Sequence, residues 1–271
     1  MSDAVSLNGM RVLVTRPAGQ GEGLIEAIRR AGGDAVSLPL LKIEPVTEQH
    51  RQAEIRKLIQ SLDDYQVLIF ISTNAVRYGL DWIFQYWPNF LLGADVVAVG
   101  PTTAAALADL PCEVHQSASG MSSEDILELS VLQEVQGKKI ALFRGVGGRE
   151  LLADTLRRRG ARVDYIETYE RLPVSGAGNQ LAQLLQRERI DAMSVTSGQI
   201  LDSLCQLVDI SDTGFKLIPL LVPSERIRQQ AQAAGFVRVV CSRGSTDSAI
   251  LAGLVAIAEQ QSDRPDGARS G

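Results

Sequence analysis

The chain carries an ungapped internal repeat at an offset of 128 residues. Residues 10–45, MRVLVTRPAGQGEGLIEAIRRAGGDAVSLPLLKIEP, lie over residues 138–173, KKIALFRGVGGRELLADTLRRRGARVDYIETYERLP. Arg16 meets Arg144, Gly19 meets Gly147, Glu22 meets Glu150, Gly32 meets Gly160 and Pro45 meets Pro173. A match of this length marks two copies of one supersecondary unit, which restricts the chain to folds built from a doubled part. A weaker echo follows at an offset of 123 to 124. FISTNAVRYGL (70–80) resembles SVTSGQILDSL (194–204), and AVGPTTAAALADL (98–110) resembles LVPSERIRQQAQA (221–233).

The elements inside the repeat fix the class. RVLVT, KIALF, VLIFIS, AMSVTS, VVAVG and LIPLLV are short, continuously apolar runs. Runs of that length suit strands covered on both faces, as in a parallel sheet. GLIEAIRRAG and LLADTLRRRGA have apolar residues at helical spacing and end in arginines followed by Gly32 or Gly160, a C-terminal signal. Strands alternating with helices predict an α/β fold with parallel sheets. Two copies predict two such domains.

The loop LFRGVGGREL (142–151) invites a nucleotide reading, which its letters do not support. Residues 145–150 read Gly-Val-Gly-Gly-Arg-Glu, neither G-x-G-x-x-G nor a Walker loop. Glycine amides before a helix form a receptor for an anion, to which Arg144 and Arg149 add charge. A tight turn with solvated arginines fits the same letters. Short polar residues, mostly hydroxyls, follow the other strands: Ser72, Thr73 and Asn74; Thr196 and Ser197; Thr102 and Thr103; Ser224. Each is first of all a candidate helix N-cap. Ligands of open parallel sheets bind beyond the carboxyl ends of the strands. Two sheets facing each other there would enclose a cleft suited to a molecule with many carboxylates or phosphates.

Composition narrows the classes. The net charge of -5 argues against a general nucleic-acid binder. MSDAVSLNGM has no basic start and no apolar core, so no secretion signal is expected, and no run approaches the ~20 apolar residues of a bilayer span. Cys112, Cys205 and Cys241 are scattered, and His50 and His115 fall in polar contexts. A disulfide framework, a metal site and a Ser-His-Asp triad are therefore not expected. The reading is a cytoplasmic protein without metal.

LPLLKIEPV (38–46) and ETYERLPVS (167–175) occupy matching places, are β-prone and stop at proline. They could pair as a two-stranded connector, bounded by Glu44 with Pro45 and by Arg171 with Pro173. WIFQYWPNFLLG (82–93) is aromatic-rich and reads as a local helix extension packed on its own domain. EQQSDRPDGARSG (259–271) is polar and reads as a disordered tail.

The set VLVTRP, IFISTNAV, AVGPTTAAAL, IETYERLP, VTSGQIL and VPSERIRQQAQAAGF, in this order, resembles the uroporphyrinogen-III synthase family. The likeness runs from residue 10 to about 258. It implies two flavodoxin-like, three-layer α/β domains joined by a two-stranded β-ladder. Domain 1 would be discontinuous, 1–40 plus 174–260, domain 2 would be 46–168, and 41–45 and 169–173 would form the ladder, with 261–271 a disordered tail. The implied activity is that of a lyase of tetrapyrrole (haem) biosynthesis. It would close hydroxymethylbilane, a linear tetrapyrrole with eight carboxylates, to uroporphyrinogen III with loss of water and inversion of the last pyrrole ring, ring D, without cofactor. Tyr169 falls on the family's ladder tyrosine and is the implied proton donor. Ser72, Thr103, Ser197 and Ser224 are implied ligand contacts, with VPSER standing where the first copy has VGPTT. Arg16 and Arg144 are candidate carboxylate binders, or braces of their own loops. The implied partner is the small-molecule substrate, with no nucleic acid or membrane; the chain would be a monomer with at most transient contact with the preceding pathway enzyme. The rival is a non-catalytic two-domain α/β module that binds a small polyanion; a nucleotide-dependent regulator is weakened by the missing phosphate loop.

Overall fold

The computed structural model describes residues 6–90, 93–117, 123–148, 150–207 and 213–262. Eleven strands are found among them: β1 (Arg11–Val14), β2 (Asp34–Ser37), β3 (Leu41–Pro45), β4 (Val67–Phe70), β5 (Asp95–Ala98), β6 (Val114–Gln116), β7 (Lys139–Gly145), β8 (Arg162–Pro173), β9 (Ala192–Ser194), β10 (Leu220–Val222) and β11 (Val239–Cys241). The chain divides into two compact units, Met1–Lys42 with Leu172–Gly271, and Ile43–Arg171.

The first unit holds a parallel sheet in the order β2-β1-β9-β10-β11. Within that unit the order along the chain is 2-1-3-4-5, a doubly wound, flavodoxin-like arrangement. The second unit has β8-β7-β4-β5-β6, parallel throughout, with β3 added at the β8 edge. Its spatial order is the same, but the chain enters at β4 and supplies β7 and β8 last. The repeat therefore does not coincide with the units. The first strand–helix–strand copy sits in the unit completed by the end of the chain, and the second copy completes the unit between. Neighbouring letters could not reveal this exchange.

The strands are buried on both faces because each sheet lies between two apolar clusters. Leu13, Met193 and Leu220 face one cluster of the first unit, while Val12, Val14, Ala192 and Leu221 face the other. In the second unit Leu68 and Phe70 alternate with Val67 and Ile69 in the same way. Each such side chain contributes roughly 1.5–3 kcal/mol by leaving water, so the continuous runs specify three layers. The edge strands β6 and β11 are three residues long and only part-buried. β6 reads Val-His-Gln and β11 Val-Val-Cys, each too short to stand out as an apolar run.

The repeat extends to backbone detail. Arg11 pairs with Asp34 and Lys139 with Arg162, so the register keeps the offset of 128. Helix Glu22–Arg30 begins with an acid, ends with Arg29 and Arg30, and is closed by Gly32 at φ 75°. The amides of Gly32 and Gly33 donate to Arg29 and Ile28, and those of Gly160 and Ala161 donate to Arg157 and Leu156. This is the double bond of a Schellman end, for which only glycine reaches the left-handed conformation cheaply. The weaker echo needs correction by one residue. Ser72 and Ser197 cap equivalent helices (197 − 72 = 125), and Gly100 and Ser224 occupy equivalent caps (224 − 100 = 124). Helix starts and strand registers, not letter identities, decide the alignment, since a slip of one residue would reverse every face.

The chain crosses between the units in β3 and β8. These pair antiparallel, with Val46 N donating to Thr168 O at 3.2 Å and Val174 N to Leu40 O at 3.1 Å. The aromatic stretch is helical as far as Tyr86, after which Trp87 Nε1 donates to Ile59 O at 2.7 Å and Phe90 is buried; residues 91 and 92 lie outside the described ones. One expectation is overturned in part. Residues 259–262 belong to helix Asp247–Ser262, anchored by buried Ile257 and Ala258 and by Gln261 donating to Asp191 O. The rest of the expected tail lies outside the described residues. No helix among the described residues is long and apolar enough to cross a membrane.

Candidate active site

In the second unit, β8, β7 and β4 are neighbours, and their carboxyl ends gather the side chains that can do chemistry. β4 stops at Phe70 because Ser72 turns the chain into helix Thr73–Tyr86, its Oγ accepting from Ala75 N at 3.1 Å. β8 carries a bulge. Arg144 faces Glu167, but the next residue of β7, Gly145, faces Tyr169, so Thr168 is extra. Strand side chains alternate, and regular pairing would put Tyr169 on the face opposite Ile166. The bulge shifts the parity, and Tyr169 joins Ile166 in one cluster. Bulges beside active sites re-aim side chains in this manner.

Tyr169 is 0% exposed. Its ring stacks on Tyr78 at 5.6 Å between centroids and lies against Gly145, where a Cβ would come within 2.6 Å of it. Only glycine at 145 leaves room for the phenol. The phenol oxygen is 3.0 Å from Ser72 Oγ and accepts from Arg171 Nη2 at 3.1 Å, and the same guanidinium sits 5.2 Å over the ring. Tyr78 also donates to Ile43 O at 3.1 Å, tying the helix to β3.

The two arginines of the repeat turn inward. Arg144 is 2% exposed. It donates to the carbonyl oxygens of Gly145 (3.3 Å) and Gly147, pairs with Glu150 at 3.2 Å, and stacks on Tyr165 at 4.6 Å. Arg16 donates to Gln20 O at 3.3 Å and Ser245 O at 2.6 Å and pairs with Asp247. Both guanidiniums are committed to carbonyls of strand–helix loops, so the bracing role is the one their bonds describe. The glycine loop is a tight turn, with Gly147 at φ 72° and Gly148 at φ 110°, and Gly147 N donates to Glu167. Arg149 lies outside the described residues. The Tyr165 hydroxyl donates to Glu150, which with Arg144 nearby holds that carboxyl below its ordinary range. Burial and the Glu150 carboxylate push the Tyr165 phenol up.

Of the remaining candidates, Ser197 and Ser224 are half-buried helix caps in the first unit, accepting from Ile200 N at 3.2 Å and Ile227 N at 3.4 Å. Ser224 lines a cavity of about 610 Å³ with Arg228, Cys241 and Arg243. Thr103 is 2% exposed inside helix Pro101–Ala105, whose cap is Gly100 at φ 91°. The structure thus brings Ser72 and Tyr169 together. The sequence marks Arg171 only as a boundary of the ladder. Its spacing of two from Tyr169 on an extended segment was the available signal, since such residues share a face.

Residues 22–252 match the family model described as uroporphyrinogen-III synthase HemD. The chain belongs to the uroporphyrinogen-III synthase family. A uroporphyrinogen-III synthase of Escherichia coli K12 is 32% identical over 251 residues, covering 90% of this chain and all of that one. One from Proteus mirabilis is 38% identical over 178 residues, 64% of this chain and 86% of that one. Among solved structures, a mutant uroporphyrinogen III synthase of Thermus thermophilus aligns with a TM-score of 0.62 at 18% identity, covering 93% of this chain and 99% of that one. The uroporphyrinogen-III synthetase of Helicobacter pylori 26695 aligns at 0.57 and 11%, covering 92% and 99%. At those identities the structural likeness speaks for the shared fold of the uroporphyrinogen-III synthases, while the sequence matches carry the family assignment.

Proposed function

We propose that this chain closes hydroxymethylbilane to uroporphyrinogen III, with loss of water and inversion of ring D, and that Tyr169 belongs to the hydrogen-bonded group that protonates the leaving hydroxyl. The observation that carries the reading is the family match across 22–252. The geometry of the second unit supports it: a phenol held rigidly at the carboxyl ends of three strands, hydrogen-bonded to a half-buried hydroxyl.

The chemistry asks for little else. The C–O bond breaks with its electron pair on oxygen, which takes a proton and departs as water. The lone pair of the neighbouring pyrrole nitrogen stabilises the carbon cation. General-acid help with such a step is worth roughly 10²–10⁴-fold. The harder task is orientation, because ring D must attack through its already substituted carbon and pass through a spiro species. Holding that geometry can supply about 7–11 kcal/mol. Ser197 and Ser224, with the amides at those helix N-termini and at the one that Ser72 caps, are the proposed carboxylate contacts. Thr103, buried in its helix, contributes through the position of the Gly100 turn. Arg16 and Arg144, each paired with acidic side chains, hold their loops in shape.

The test is to supply freshly made hydroxymethylbilane, oxidise the products and resolve the isomers. The protein should yield type III far in excess of the type I ring that forms spontaneously. Type I alone would leave a polyanion-binding module as the better reading.

A further inference from the structure

Tyr169 poses a difficulty for direct proton transfer: it is fully buried, so its hydroxyl does not reach a substrate directly. Its hydrogen bonds resolve the difficulty when donors and acceptors are counted. Arg171 can only donate, so the phenol oxygen is the acceptor of the 3.1 Å bond from Nη2. The phenol's own hydrogen then needs an acceptor, since leaving a buried donor unmade is costly. Among the described residues the one in reach is Ser72 Oγ, 3.0 Å away. Ser72 Oγ already accepts from Ala75 N. With Tyr169 as second donor, both serine lone pairs are used, and the serine hydrogen must point elsewhere. No acceptor among the described residues takes it, and Ser72 is half-buried at the mouth of the strand ends.

We infer that Ser72 is the residue that touches the leaving hydroxyl, and that Tyr169 and Arg171 are positioning residues acting through it as a one-way relay. This rests on the proposed function. In the step, the serine O–H proton passes to the departing oxygen, which leaves as water. The Tyr169 proton passes to Ser72 Oγ, and the phenolate formed is held by the Arg171 guanidinium. The proton that the closing pyrrole ring releases on regaining aromaticity returns the relay to its starting state. Atoms and charge balance without any co-reactant. Gly145 and the Thr168 bulge serve the relay by seating the phenol behind the serine rather than in the open.

Kinetics of the full chain with hydroxymethylbilane test the order of the relay. Ser72→Ala should lower kcat by roughly 10²–10⁴-fold with KM within a few-fold of wild type. Ser72→Asn, which still caps the helix but has no hydroxyl, should fall equally, and serves if the alanine variant does not fold. Ser72→Thr should recover most of kcat. Tyr169→Phe should lower kcat, and the Ser72→Ala/Tyr169→Phe double variant should be no slower than Ser72→Ala alone. Arg171→Gln should slow the wild type but add nothing to Tyr169→Phe. Losses that multiply in the double variant, a Ser72 effect confined to KM, or an undiminished Ser72→Asn would each overturn the relay while wild-type formation of the type III isomer keeps the function. A wild-type protein that forms no type III isomer overturns the function, and the relay falls with it.

Discussion

Ser72 and Ser197 are the same residue of the same motif, one in each unit. Each follows a buried strand, caps a helix through the amide three residues on, and is half-buried. What stands behind them differs. Behind Ser72 lie Tyr169 and Arg171 of β8; at the repeat offset of 128 their counterparts are Leu41, buried in the first unit, and Ile43, which already packs in the second unit and does not stand behind Ser197. Gly145, against which the phenol lies, corresponds to Pro17. Duplication supplied two scaffolds with equivalent strand ends, and among the described residues a phenol is hydrogen-bonded to the capping serine at Ser72 and not at Ser197. A fold of this kind can therefore keep one half for holding and devote the other to proton transfer.

The sharpest way to break that contrast is to truncate both members of the offset pair. Tyr169→Phe should cost roughly 10²–10⁴-fold in kcat while leaving the unfolding midpoint near wild type. Leu41→Ala, in a buried site of the first unit, should cost about 2–5 kcal/mol of stability and leave kcat of the folded fraction near wild type. Isomer-resolved kinetics and urea melts read both. Equal kinetic losses at the two positions would mean that the asymmetry is only one of packing.

The two arginines give the next largest difference. Arg144 is almost fully buried and serves two carbonyls, whereas Arg16 keeps more of its side chain in water. Arg144→Met should destabilise by about 2–3 kcal/mol, because the carbonyls of Gly145 and Gly147 lose their donor, and Arg16→Met by about 1 kcal/mol. Carboxylate binding by either would instead raise KM with stability unchanged. Gly145→Ala should follow, since its methyl must displace the Tyr169 ring; overpacking of this sort costs roughly 1–3 kcal/mol. The same variant should lower kcat, and an unchanged kcat would show that the seat of the phenol is unimportant. Smaller still is the cap pair. Ser72→Ala and Ser197→Ala should each lose about 1 kcal/mol, and only the first should lose kcat to the extent of the relay.

How much of this could be read from the letters depends on the range of the interaction. The strands of the sheet interiors, the helix ends at Gly32 and Gly160 and the caps at Ser72 and Ser224 are local, and their signals lie within a few residues. The doubled unit followed from a repeat without gaps. The exchange of the first strand–helix–strand copy between units is a matter of connectivity across more than a hundred residues, which no window of sequence contains. Arg16 and Arg144 were legible as equivalent places in the repeat, but the bond of Arg16 to Ser245 depends on tertiary closure, and the bonds of Arg144 to Gly145 and Gly147, though local, depend on a side chain that turns back onto its own loop. Tyr169 entered through resemblance alone. Its pairing with Ser72 needs the bulge at Thr168, and a bulge leaves no pattern in the alternation of IETYERLP that could be told from a regular strand.

The last contrast lies on the other side of β8. Tyr165 and Glu150 correspond at the repeat offset to Ser37 and Glu22, so only the second unit sets a phenol against the acid that opens the helix after its glycine loop. The Tyr165 hydroxyl, aided by the Arg144 guanidinium, holds the Glu150 carboxyl below its ordinary range. A carboxyl depressed in the folded state binds fewer protons there than in the unfolded chain. Its stabilising contribution is therefore present above the ordinary carboxylate pKa and is lost as pH falls through the depressed value. Tyr165→Phe removes the principal donor, so Glu150 should move back toward its ordinary value. Urea midpoints taken from pH 7 down to about pH 3 should then fall less steeply for Tyr165→Phe than for wild type, the two curves converging at the acid end. The effect is small because Glu150 is half exposed and water screens the pair. Curves that stay parallel over that interval would remove the phenol–carboxylate bond from the differences between the two halves.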